Sequence, residues 1–139
     1  MNHKEKADML HKKGYNCCQS VLLAFQDELG VDPETLFRIG EGFGLGMGNM
    51  DQTCGALSAA VMIAGLKNSD GNLAEPKSKR ATYQLADKLQ KSFLEKSGAL
   101  VCRELKGIET GKVLCPCPVC ISNAVEIVED MLASRTDEK

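Results

Sequence analysis

The segment from Thr53 to Leu66 reads Thr-Cys-Gly-Ala-Leu-Ser-Ala-Ala-Val-Met-Ile-Ala-Gly-Leu, small and apolar almost all round. A helix with no polar face is stable in water only when other elements cover it, so this segment is expected at the centre of a fold. Its Gly and Ala residues let neighbouring helices come close. The apolar run from Gly55 to Leu66 is too short to span a bilayer, which needs about 20 residues. Aromatic residues make up only 4% of the chain and tryptophan is absent. The core must therefore come from Leu, Val, Ile, Ala and Met, a composition that suits packed helices.

The rest of the chain supplies the covering helices. Residues 2–13 are polar with sparse apolar positions, and Gly14 ends them. A second helix starts at an Asn16 N-cap, with Cys18, Leu22, Phe25 and Leu29 at the spacing of a buried face and Gly30 as its stop. Asp32-Pro33-Glu34 restarts a short helix that ends near Ile39, since Asp caps and Pro fits the first helical position. Glycine then occupies every second position from Gly40 to Gly48. Each glycine costs about 1 kcal/mol against alanine in a helix, so this stretch is expected as a compact loop whose backbone approaches something closely. A polar loop covers 67–76. Residues 77–97 form an amphipathic helix carrying Tyr83, Leu85, Ala86, Leu89, Phe93 and Leu94, stopped by Gly98. Residues 99–119 show little periodicity. Pro118 starts a last helix with Ile121, Val125, Val128 and Leu132 on one face, and from Ser134 onward the charged end is expected to fray. No repeat or linker divides the chain. The expectation is one cysteine-rich, all-α domain over 1–139: a bundle of five to six helices around the Cys54 helix, with a glycine-rich loop.

Seven cysteines is an odd number. The N-terminus, Met-Asn-His-Lys-Glu-Lys, has no apolar stretch behind it and does not read as a secretory signal. A net charge of −2 gives no electrostatic footprint for nucleic acid. The chain is thus expected to be cytoplasmic, without a membrane span or a nucleic-acid partner. Cysteines at this density without a signal point to metal or redox chemistry more than to a disulfide framework, with small buried core residues as the bland alternative.

Four of the cysteines stand where a helix should begin: Cys17 after Asn16, Cys54 after Asp51 and Thr53, Cys102 opening Cys-Arg-Glu-Leu, and Cys120 before the last apolar run. A thiol in the first turn of a helix meets unpaired N–H groups and the positive end of the macrodipole, which favour the thiolate. Cys18 falls on the Leu22/Phe25 face and reads as core, which leaves Cys17 as the functional member of that pair. Arg103 stands ready to stabilise a Cys102 thiolate if its side chain folds back. Cys115-Pro-Cys-Pro-Val-Cys120 is the densest cluster, and Cys117-Pro-Val-Cys120 has the spacing of a redox dithiol or of half a zinc or cluster site. A second C-x-x-C, which would complete a zinc ribbon, is absent. His3 and His11 read as solvent-facing residues of the first helix.

Taken in order, Gly14-Tyr-Asn-Cys-Cys-Gln-Ser-Val, Gly42-Phe-Gly-Leu-Gly-Met-Gly, Cys54-Gly-Ala-Leu-Ser-Ala, Cys102-Arg-Glu-Leu and Cys120 before a final helix resemble the C_GCAxxG_C_C family, described as redox-active. The resemblance spans nearly the whole chain. It implies that Cys17, Cys54, Cys102 and Cys120 carry the family's chemistry, redox or metal-bound. Cys18 stands where the family usually has Ala, and Cys115 and Cys117 look like additions peculiar to this chain.

Three readings follow. In the first, Cys17, Cys54, Cys102 and Cys120 converge and at least one pair cycles between dithiol and disulfide, serving an oxidoreductase or another thiol protein. In the second, the same four thiolates, with Cys115 and Cys117 as further ligands, hold zinc or an iron–sulfur cluster. In the third, the cysteines merely pack in a helical interaction protein. The apolar central helix would also suit a homodimer interface, though a buried core explains it more simply.

Overall fold

Local capping chemistry sets most of the helix boundaries. The computed structural model describes residues 1–137, with side chains described as far as Ser134. Asn2 accepts the Glu5 N–H at 2.8 Å and opens α1 (His3–Lys13), and Gly14 closes it. Asn16 opens α2 (Cys17–Ala24) with a reciprocal capping box: its side-chain oxygen accepts the Gln19 N–H at 2.8 Å, and Gln19 Oε1 accepts the Asn16 N–H at 3.0 Å. The second helix does not run on to Gly30 unbroken. It breaks at Phe25, which is buried and stacked on His3 with ring centroids 4.1 Å apart, and resumes as α3 (Gln26–Leu29). Asp32 accepts the Thr35 N–H at 2.9 Å and opens α4 (Pro33–Glu41).

The glycine stretch forms α5 (Gly44–Met47), a tight irregular turn in which Leu45, Gly46, Met47 and Gly48 all have positive φ. Then follow α6 (Gly55–Asn68), α7 (Lys79–Ser97), α8 (Cys102–Lys106) and α9 (Cys117–Asp137). Among the described residues, six helices have eight residues or more, and α3, α5 and α8 are short additions. The bundle expected from sequence is therefore present. α9 begins at Cys117, one residue before the expected Pro118, and continues through Ser134 to Asp137 instead of fraying there. Glu138 and Lys139 lie outside the described residues.

The central helix is α6, packed against α2, α7, α9 and α5. Ala56, Leu57, Ala59, Ala60, Ile63 and Ala64 are buried. Full burial of Leu57 or Ile63 contributes about 1.5–3 kcal/mol each. The enclosure is incomplete, because Val61, Met62 and Gly65 are half-buried and Leu66 is exposed. α7 turns Leu89 and Phe93 into the core, whereas Tyr83 and Leu94 face solvent. Among the described residues no helix is long and apolar enough to cross a membrane.

The aperiodic region 99–119 is ordered by backbone hydrogen bonds rather than by a side-chain pattern. Among the described residues there is no strand, but Thr53 and Val101 form an antiparallel bridge. The Cys54 N–H donates to Leu100 O at 2.8 Å, the Cys102 N–H to Gln52 O at 3.0 Å and the Arg103 N–H to Met50 O at 2.8 Å. Leu105 O accepts from both Leu114 and Cys115 N–H. These contacts place the starts of α6, α8 and α9 side by side.

Candidate functional site

A cavity of about 180 Å³ lies where these helix starts meet. Cys17, Cys54, Cys102, Cys115, Cys117 and Cys120 line it. The four cysteines singled out by helix position are thus brought together, and Cys115 and Cys117 join them. Cys17 and Cys102 are the first residues of α2 and α8, Cys54 is the N-cap of α6, and Cys120 sits in the first turn of α9, which Cys117 opens. Cys18 does not line the cavity. It is buried on the core side of α2 with Gly40 packed over it, as its place on the Leu22/Phe25 face predicts.

Glycines make this convergence sterically allowed. A Cβ on Gly55 would lie 2.6 Å from Cys17 Sγ and 2.7 Å from Phe43 O. Gly46 has φ 55°, and a Cβ there would lie 2.6 Å from Cys102 Cβ. The loop of alternating glycines therefore approaches Cys102, while Gly55 admits Cys17 beside Cys54.

The thiols stand in a row. Cys17 lies beside Cys54, and Cys54 beside Cys120. The Cys120 thiol donates in turn to Cys115 O at 3.4 Å. The expectation that helix starts favour thiolate does not hold for Cys17 and Cys54. Cys17 is pushed well above the usual thiol range, first by its hydrogen bond to Cys54 and then by burial, while the Leu45 and Cys18 N–H groups pull more weakly the other way. Cys54 is pushed up to about 12, first by its bond to Cys120. Burial pushes Cys18 up to about 12. Clustered sulfurs cannot all carry charge, and that repulsion with desolvation outweighs the helix ends. Cys102 is also raised, chiefly by burial.

The cation nearest these sulfurs is not the expected one. Arg103 turns away and bonds Asp51 Oδ1, with Nε and a terminal nitrogen both 2.9 Å from it. Lys106 instead lines the cavity, and its Nζ stands 3.5 Å from Cys117 Sγ. Burial is the largest influence on Lys106 and lowers it, yet the surrounding Cys117, Cys102 and Cys17 sulfurs together raise it, so its charge is kept. Sequence reading missed Lys106 because its signal, a lysine one turn after Cys102, is too common to stand out. It also missed His11 at the cavity wall. His3 is not simply solvent-facing: its two ring nitrogens lie 2.6 Å from Glu28 and 2.8 Å from Glu129.

Soft thiolate donors suit zinc or an iron–sulfur cluster in chemistry. Their placement does not: among the described residues, no group of three or more His, Cys, Asp or Glu side chains is arranged to hold a metal ion. The arrangement lends itself to proton and disulfide transfer between neighbouring sulfurs.

No curated protein and no solved structure matches the chain. Residues 15–131 match the family model described as "Putative redox-active protein (C_GCAxxG_C_C)". The matched span contains every cysteine of the cavity and both glycines that let them meet, and on that match the chain belongs to the C_GCAxxG_C_C family.

Proposed function

We propose that the protein is a thiol–disulfide redox protein in which Cys54 and Cys120 form the reversible disulfide. The observation that carries this reading is the placement of these two thiols, from the starts of different helices, together in one cysteine-lined cavity. Neighbouring thiols that turn toward each other can close to the disulfide bond length of about 2.05 Å. Cys17 and Cys102 line the same cavity, so both are reserve thiols of the same set. On oxidation Cys54 and Cys120 lose two protons and two electrons. A partner disulfide takes them up and becomes two thiols, and the reverse reaction restores the dithiol. An oxidoreductase or another thiol protein is the natural partner.

The test is mild oxidation of the reduced protein with diamide, followed by mass mapping. A Cys54–Cys120 disulfide that forms and reverses with reductant is expected. Cys54→Ser and Cys120→Ser should each abolish it, and Cys18→Ser should not.

The six thiols also favour a second reading, a metal or iron–sulfur centre, because they outnumber what one disulfide needs. That reading requires the side chains to rearrange from the positions described, and it therefore ranks second.

A further inference from the structure

We infer that Cys117 is the thiol that an incoming disulfide meets first, and that Lys106 is its positioning residue. The inference rests on the thiol–disulfide reading above and adds the route by which a substrate reaches a buried pair. Cys54 and Cys120 are 6% and 2% exposed, so neither can meet a partner disulfide directly. Of the six cavity cysteines, Cys102 and Cys115 are also buried, and Cys17 and Cys117 are half-buried. The Cys17 sulfur is packed inward against Gly55, next to Cys54. Cys117 is left.

Its surroundings fit that role. Cys117 is the first residue of a 21-residue helix, between exposed Pro116 and Pro118. Lys106 Nζ is 3.5 Å from its sulfur, close enough to hold the Cys117 side chain in one orientation at the cavity mouth. Cys120 follows three residues later on the same side of α9 and lines the same cavity as Cys54. Exposed Val113, Leu114 and Val119 flank the site with apolar surface suited to a peptide that carries a disulfide.

The chemistry balances in three steps. The Cys117 thiolate attacks one sulfur of the substrate disulfide, forming a mixed disulfide and releasing the other half as a thiolate. The Cys120 thiolate attacks Cys117 Sγ, forming a Cys117–Cys120 disulfide and releasing the second half. The protons given up by Cys117 and Cys120 end on the two released thiols. The Cys54 thiolate then attacks Cys120 Sγ, forming the Cys54–Cys120 disulfide, and Cys117 regains its thiol with the Cys54 proton. Two electrons have passed to the substrate, and an external dithiol resets the pair.

The experiment follows the reduced full-length protein reacting with the aromatic disulfide 5,5′-dithiobis(2-nitrobenzoate), quenched early and mass-mapped. Cys117 is expected to carry the first adduct. Cys117→Ser should slow the first phase by about tenfold or more. Lys106→Met should slow it several-fold, and Lys106→Arg should restore the rate. An unchanged first phase in Cys117→Ser, or a first adduct on Cys17, would overturn the inference. Diamide treatment of the same Cys117→Ser protein separates the two ideas. A Cys54–Cys120 disulfide that still closes leaves the parent reading intact, whereas its absence from the wild-type protein under any oxidant removes the parent reading itself.

Discussion

Gly55→Ala is the substitution whose outcome follows most directly from the geometry. The new methyl carbon would lie 2.6 Å from Cys17 Sγ and 2.7 Å from Phe43 O. Ordinary contact distances are about 3.5–4 Å, so each neighbour would have to retreat by about 1 Å. Cys17 heads the capped α2, and the Phe43 carbonyl belongs to the tight glycine turn, so neither can move alone. Alanine in place of glycine contributes up to about 1 kcal/mol to a helix. Overpacking costs about 1–3 kcal/mol and, against a backbone carbonyl, falls in the upper part of that range. The expected net loss is about 1–2 kcal/mol, with the Cys17–Cys54 contact opened. Denaturant unfolding measures the first effect, and timed alkylation mapped to Cys17 measures the second, which should be faster. A variant as stable as wild type with unchanged Cys17 alkylation would refute the claim that Gly55 exists to admit the Cys17 sulfur.

Asn16→Ala removes the capping box and the bond from Asn16 Nδ2 to Glu41 O at 2.9 Å, so a loss of about 1–2 kcal/mol is expected in the same unfolding assay. Cys18→Ser places a hydroxyl in a buried site and should cost about 1–3 kcal/mol while leaving the diamide-formed disulfide intact. The raised thiols predict alkaline lability. Cys17, Cys18 and Cys54 bind protons more tightly when folded, so their contribution is complete below the ordinary value of 9.0 and is lost as pH rises above it, by about 1.4 kcal/mol per pH unit for each thiol, visible in unfolding curves between pH 8 and 11. His3 behaves similarly in its own range. Burial lowers it, but the Glu129 and Glu28 bonds outweigh that and raise it above 6.5, so the stability difference between wild type and His3→Gln should be full below pH 6.5 and shrink as pH rises through the folded value.

Helix positions were legible in the sequence because they are written in local chemistry. Asn16 and Asp32 cap as their side chains dictate, and the apolar Cys54 helix lies at the centre as its lack of a polar face requires. The break at Phe25 was not legible, since it answers a distant partner, His3 at the other end of α1. The convergence of the cysteines was half legible. Four helix starts could be named, but their meeting depends on backbone bonds such as Cys54 N–H to Leu100 O and Cys102 N–H to Gln52 O, which leave no trace in side-chain pattern. Thiolate character was misread for a physical reason. A helix end acts on one sulfur at a time, whereas here Cys17, Cys54 and Cys120 stand together in one cavity and repel one another's charge. Lys106 and His11 became visible as cavity residues only once α1 and α8 were placed against it.

The central claim is that the cavity sulfurs store electrons as a disulfide, and one sample purified without oxygen tests it through metal content, acid-labile sulfide and mass-mapped thiols before and after mild oxidation. The account predicts no stoichiometric metal or sulfide, seven free thiols in the reduced protein, and a reversible loss of two that map to Cys54 and Cys120. Stoichiometric metal or sulfide with about four thiols protected would contradict it, since four thiolates complete a zinc or cluster site.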